Sequence, residues 1–151
     1  MLRPSKKMLF AIEAVLDIAY HAGGEPVQSR EITRRQGIPR RYLEQTLQQL
    51  VRSGILVGVR GPRGGYRLAR ERRRISVGEI VRVVRAMETA EDPYQDMPAS
   101  DLGKSVIRPM WGELADEIMT RLDAITVDDL CMRSYKSGIP SEAHAKLDFI
   151  I

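Results

Sequence analysis

The stretch from Ser29 to Leu68, SREITRRQGIPRRYLEQTLQQLVRSGILVGVRGPRGGYRL, limits what this chain can fold into more than any other part of it. It reads as a short helix, a tight turn, an amphipathic helix and a glycine-tipped basic hairpin, the order of a winged helix-turn-helix. Ser29 is placed to cap the first helix and Gly37 to end it. Leu43, Leu47, Leu50 and Val51 give the second helix one apolar face, which leaves Arg41, Tyr42, Gln45, Gln48 and Arg52 on its other sides. Planar hydrogen-bonding groups and positive charge suit base edges and phosphates. The same helical pair could merely present a polar face to water, and the wing argues against that. Strand-like runs over 55–60 and 66–69 flank Gly61, Pro62, Arg63, Gly64 and Gly65, so the tip turns sharply and carries an arginine that a solvated loop does not need.

The net charge of +4 conceals a division along the chain. Residues 1–86 hold 18 Lys and Arg against 7 Asp and Glu, and residues 87–151 hold 6 against 13. A polyanion is the expected partner of the basic part, because phosphate neutralisation dominates nucleic-acid affinity. A membrane partner is not expected: no helix combines a basic face with bulky exposed apolar residues, and no apolar run approaches the ~20 residues that span a bilayer. The opening MLRPSKKMLFAIEA lacks the unbroken apolar stretch of a signal peptide, so a cytoplasmic protein is expected. The single cysteine, Cys131, excludes an intrachain disulfide and any all-cysteine metal site built from one chain.

The expected fold is mainly α with a small β-wing, divided into a DNA-binding domain over 1–86, an acidic loop over 87–103, and a dimerisation helix and tail over 104–151. Ser5 can cap a first helix in which Met8, Ile12, Val15, Leu16 and Ala19 repeat at helical spacing, packed under the recognition helix. Lys6 and Lys7 lie in its first turn, against the helix dipole, where a phosphate would account for them as well as solvent does. Ser76 and Glu79 have capping-box spacing ahead of Ile80, Val81, Val84 and Met87. Arg70, Arg72, Arg73 and Arg74 either extend a phosphate track or form a solvated connector. Residues 88–103, with two prolines and five acidic residues, read as a mobile loop that matches no calcium-binding spacing. Beyond them Ile107, Trp111, Leu114, Ile118, Leu122 and Ile125 form a coiled-coil-like stripe, expected to pair with its copy in a homodimer. Pro109 predicts a helix start or kink nearby, and Thr126 caps a further short helix.

Taken together, SKKMLFAIEAVLDIAYH, ITRRQGIPRRYLEQTLQQLVRSGIL, VRGPRGGYRLA, ISVGEIVRVV, MWGELADEI and ITVDDL resemble the Rrf2 family of bacterial transcription regulators over most of the chain. The resemblance implies a dimeric winged-helix DNA binder whose long C-terminal-side helices cross-pair. It places Tyr42, Glu44 and Gln45 in the recognition helix and Arg60, Arg63 and Tyr66 in or beside the wing. With the charge pattern, this makes Lys6, Arg40, Arg41, Tyr42, Gln45, Arg60, Arg63 and Tyr66 the expected contacts to double-stranded DNA bearing a near-palindromic operator. Members that sense iron-sulfur clusters carry three cysteines before the dimer helix. This sequence has none there, and Arg108 stands near where they offer a further ligand, so no cofactor is expected.

The tail EAHAKLDFII is apolar at Leu147, Phe149, Ile150 and Ile151. Either it packs on the body of the dimer, or Phe149, Ile150 and Ile151 dock into a partner that captures the terminal carboxylate. The cluster-free branch of the family typified by the cysteine metabolism repressor has a similar tail, and the partner that this resemblance implies is cysteine synthase. Cys131, Tyr135, His21 and His144 form no constellation with catalytic logic, so no enzyme is expected. The reading is a homodimeric, cluster-free, sequence-specific regulator that represses by covering promoter DNA. The alternative is an adaptor whose winged helix and apolar tail bind other proteins.

Overall fold

Helix α1 (Lys6–His21) begins where the Ser5 hydroxyl accepts the Met8 amide at 3.2 Å, which satisfies one of the donors that every helix leaves open at its start. The computed structural model describes residues 3–88, 94, 96–98 and 100–143. Helices α2 (Ser29–Gln36) and α3 (Arg40–Arg52) follow, and Gly37 at φ 67° makes the left-handed step between them. Ser29 is not the cap of α2, as its sequence position suggests; it is the first helical residue. The Gln28 amide donates to Glu31 Oε2 at 2.9 Å and starts the helix one residue earlier.

Strands β1 (Leu56–Val59) and β2 (Gly65–Leu68) pair antiparallel, Leu56 opposite Leu68 and Val59 opposite Gly65. Val27 adds a single bridge to Tyr66, with both amide–carbonyl distances at 2.8 Å, and so pins the hairpin to the segment that leads into α2. A 3-10 turn at Arg72–Arg74 leads to α4 (Val77–Glu88). Ser76 Oγ accepts the Glu79 amide at 3.2 Å while Glu79 returns a carboxylate to the Ser76 amide at 2.9 Å, the reciprocal cap that the sequence predicts.

The expected loop over 88–103 is shorter than its composition suggests. Asp101 and Leu102 are already helical, and Ser100 Oγ accepts the Gly103 amide at 3.1 Å. Residues Gly103–Ile107 form a widened turn in which the Arg108 amide reaches back to Gly103 O, and α5 (Arg108–Ala124) continues from it. Pro109 has no amide to give and its ring would crowd the carbonyl four residues back, which the wider turn relieves. Helix α6 (Val127–Lys136) is capped by Thr126, whose hydroxyl accepts the Asp129 amide at 3.0 Å.

Leu43, Leu47 and Leu50 of α3 are fully buried with Val15 and Ile18 of α1 and with Ile32, Ile38, Ile55 and Leu56. Each such side chain contributes about 1.5–3 kcal/mol relative to exposure. Val127 and Cys131 of α6 belong to this same core. The chain therefore leaves through α5 and returns, so residues beyond 104 do not form a separate packed unit. Helix α5 packs against α4 and buries no residue completely.

Candidate nucleic-acid interface

With Leu43, Thr46, Leu47 and Leu50 turned inward, α3 leaves Arg40, Arg41, Glu44, Gln45 and Gln48 exposed. Arg41 and Gln45 are four residues apart and share one outward face. Pro39 precedes the helix and provides no side-chain cap, so the first-turn amides and the positive end of the helix dipole remain available to an anion. Glu44 Oε1 accepts from Arg40 Nε at 2.9 Å, which fixes an orientation for Arg40 and occupies the carboxylate. Tyr42 leans on α1: its ring lies 6.4 Å from that of Phe10, and Lys7 Nζ stands 5.9 Å over it. Lys7 thus lies beside the recognition helix, an arrangement that helical spacing within α1 cannot reveal, whereas Lys6 is simply exposed in the first turn of α1.

The wing tip is a tight turn closed by the Gly64 amide on Gly61 O at 2.9 Å. Gly64 is needed for space, because a Cβ there would lie 2.2 Å from Val59 O. Arg60 and Arg63 are exposed on this tip, and Gln28 Nε2 donates to Pro62 O at 3.4 Å, tying the tip to the start of α2. Tyr66 differs from them, being half-buried and packed on the core rather than held out with the tip. Arg67, its neighbour, points outward from β2 and is a basic group that the sequence reading passed over. The signal was present in the alternation of Tyr66, Arg67 and Leu68.

Two arginines of the basic run after the wing, Arg70 and Arg72, are paired within the chain. Arg70 bonds Glu79 at 2.8 Å and the Arg74 carbonyl at 3.0 Å, and Arg72 bonds Asp128 at 2.7 Å. Both therefore act as connectors within the chain. Arg82 grips Asp123 with two bonds of 2.7 and 2.6 Å, which fastens α4 to the end of α5.

Behind the reading helix lies a buried polar network. Asp17 of α1 accepts two bonds from Arg35 of α2, at 2.9 and 2.8 Å, and one from Gln36 at 2.8 Å. Arg35 also reaches Glu142 at 2.6 Å, and Arg34 reaches the same carboxylate at 2.9 Å. The Glu142 amide donates to His21 Nδ1 at 3.1 Å, Ser141 Oγ to Tyr20 O at 2.6 Å, and Tyr20 Oη to Ile139 O at 2.5 Å. Residues 139–142 are thus strapped across the end of α1 onto α2. Burial pushes the His21 imidazole below its ordinary range, against the pull of Asp17, and a neutral ring is what accepting at Nδ1 requires. The hydrogen bond to Asp17 raises the Arg35 guanidinium further above its ordinary value. Burial raises the Cys131 thiol.

On α5, Trp111, Leu114 and Ile118 are 39%, 42% and 53% exposed, together with Met110 and with Val106 and Ile107 of the widened turn before it. Leu122 and Ile125, at the far end of the expected stripe, are half-buried within the chain itself. Phe149, Ile150 and Ile151 lie outside the described residues.

The profile of the Rrf2 family, described as an iron-dependent transcriptional regulator, matches residues 4–133. The HTH-type transcriptional regulator IscR of Pectobacterium atrosepticum is 33% identical over 129 residues, covering 85% of this chain and 79% of that protein. Protein rrf2 of Nitratidesulfovibrio vulgaris is 32% identical over 122 residues, covering 80% and 81%. Among solved structures, IscR of T. potens superposes with a TM-score of 0.72 at 32% identity, over 92% of this chain and 93% of that one. CymR, the global cysteine regulator of B. subtilis, superposes at 0.70 with 27% identity, over 88% and 98%. The iron in the family's description finds no thiolate set here. The one cysteine is buried on α6, and among the described residues no three His, Cys, Asp or Glu side chains are grouped to hold a metal. The winged helix, its basic reading face and these likenesses converge: the chain belongs to the Rrf2 family and is a DNA-binding transcriptional regulator.

Proposed function

We propose that the protein works as a cluster-free homodimer that represses transcription by covering promoter DNA. The observation that carries this reading is the exposed Arg41–Gln45–Gln48 face of α3, set on the same unit as the arginine-tipped wing. Arg41 and Gln45 read base edges; Lys6, Arg40, Tyr42, Arg60 and Arg63 hold the phosphates, and Tyr66 supports the wing from behind. The DNA-binding unit takes residues 1–86 with α6 returning to its core, and the dimerising face belongs to the segment that begins at 104. Trp111, Leu114 and Ile118 form the centre of the dimer seam, with Leu122 and Ile125 at its edge. No helix among the described residues is long and apolar enough to cross a membrane, and the protein acts in the cytoplasm, where its operator is.

Salt titration of operator binding tests this against an adaptor role. Several phosphate contacts make affinity fall steeply with salt, each adding about 0.9 to the magnitude of the log–log slope, whereas an apolar protein interface keeps its affinity. A flat salt dependence sinks the DNA reading. The cysteine synthase partnership that the family resemblance suggests rests on residues 149–151 and competes with the inference below.

A further inference from the structure

The strap over residues 139–142 delivers the chain to the edge of a hollow that the described residues leave open. The end of α1 and one side of α6 border a cavity of about 370 Å³, with Ala19, Ala22, Cys131, Met132, Tyr135 and Ala143 in its walls. Met132 and Tyr135 are 46% and 67% exposed, next to Cys131 on the helix that enters the core through Val127 and Cys131. A second hollow of about 470 Å³ shares Arg72 and Met132 with the first, so the two make one track along α6. Ala143, the last described residue, lies in the wall of the first hollow. The next eight residues contain Leu147, Phe149, Ile150 and Ile151, a concentration of apolar side chains that needs cover.

We propose that residues 144–151 dock into this track on their own chain, with Phe149 and its apolar neighbours covering Met132, Tyr135 and the Cys131 floor. Reach is sufficient, since eight extended residues span roughly 26 Å. The anchoring of Ser141 and Glu142 holds the segment at the groove's mouth. An effective concentration in the millimolar range lets even a weak apolar contact close, an advantage that no free ligand has.

Cys131 is the chain's only thiol and lines the cavity, so its alkylation by N-ethylmaleimide reports on cover. We expect slow labelling in the full chain and several-fold faster labelling both after truncation at Ala143 and in the Phe149→Asp, Ile150→Asp double variant. Circular dichroism checks that each variant remains folded. A synthetic peptide of residues 144–151 added to the truncated chain should restore slow labelling, and a scrambled peptide should not. Independently, Cys substitution at 147, 149 or 150 should give an intramolecular disulfide with Cys131 under mild oxidation at one or more of the three positions. This second measurement decides the matter if the truncated and doubly substituted chains fail to fold. Equal labelling in all folded forms, no cross-link at any of the three positions, or capture of cysteine synthase by the tail with Cys131 labelling unchanged would overturn the proposal.

Discussion

Arg35 of α2 holds the reading head together from behind. Its guanidinium is bound by Asp17, whose side chain is wholly buried, and by Glu142, so α1, α2 and the strap share one cation. Arg35→Ala leaves a buried carboxylate unpaired and should cost about 3–5 kcal/mol, read as a lower melting temperature in denaturation. His21 adds a pH dependence with a definite sign. Its folded value lies below 6.5, so between that value and 6.5 the unfolded chain binds the extra proton and folding loses stability as pH falls. His21→Gln should flatten the melting-temperature profile just below pH 6.5 while leaving neutral pH less affected. On the reading face, Gln45→Ala should change preference among operator variants by about 1–3 kcal/mol if it pairs bidentately with a base, whereas Arg63→Ala should weaken all sites alike and lower the salt slope by about one. Equal binding of wild type and Gln45→Ala to every site removes Gln45 from the readout. Arg41 and Gln45 were legible because α3 has a clear apolar period that defines its opposite face. Asp17 was not, because a carboxylate on an apolar helix reads as an interruption until its partner on another helix is known.

Among the elements, α5 is the one whose sequence outruns its own fold. Trp111, Leu114 and Ile118 are exposed together on a helix with no fully buried residue, which asks for cover from a second molecule. Replacing Leu114 and Ile118 together with Asp should give monomers in ultracentrifugation, or insoluble chains, and abolish tight operator binding. A soluble, fully active dimer would place the interface elsewhere. The caps at Ser5, Ser76 and Thr126 could be read in advance because capping is chemistry between residues three apart. The expected start of α2 was displaced by one residue because Ser29 is a commoner cap than Gln28, although the Gln28–Glu31 pair has the same spacing of three. The helical turn at Asp101 and Leu102 was hidden, its residues offering no period and its start depending on Ser100.

For the molecule as a whole, two reading heads related by a two-fold axis should engage half-sites in successive major grooves, about 34 Å or a multiple apart. Selection from random DNA that returned no near-palindromic motif would contradict this. The basic and acidic divisions of the chain were plain from counting charges, but the return of α6 to the core of the DNA-binding unit was not. An apolar period says that a face will be covered and leaves open by what. The widened turn at Gly103–Ile107 has a consequence for descent. It accommodates one residue more than a regular helix would over the same length, and at about 100° per residue it changes the phase of everything upstream relative to the α5 seam. Losing that residue would straighten the helix and press the Pro109 ring onto a carbonyl, so neither change is easily reversed alone. The insertion and the proline should therefore be inherited as a pair, and in aligned relatives a chain that lacks Pro109 should be the one that lacks the extra residue as well.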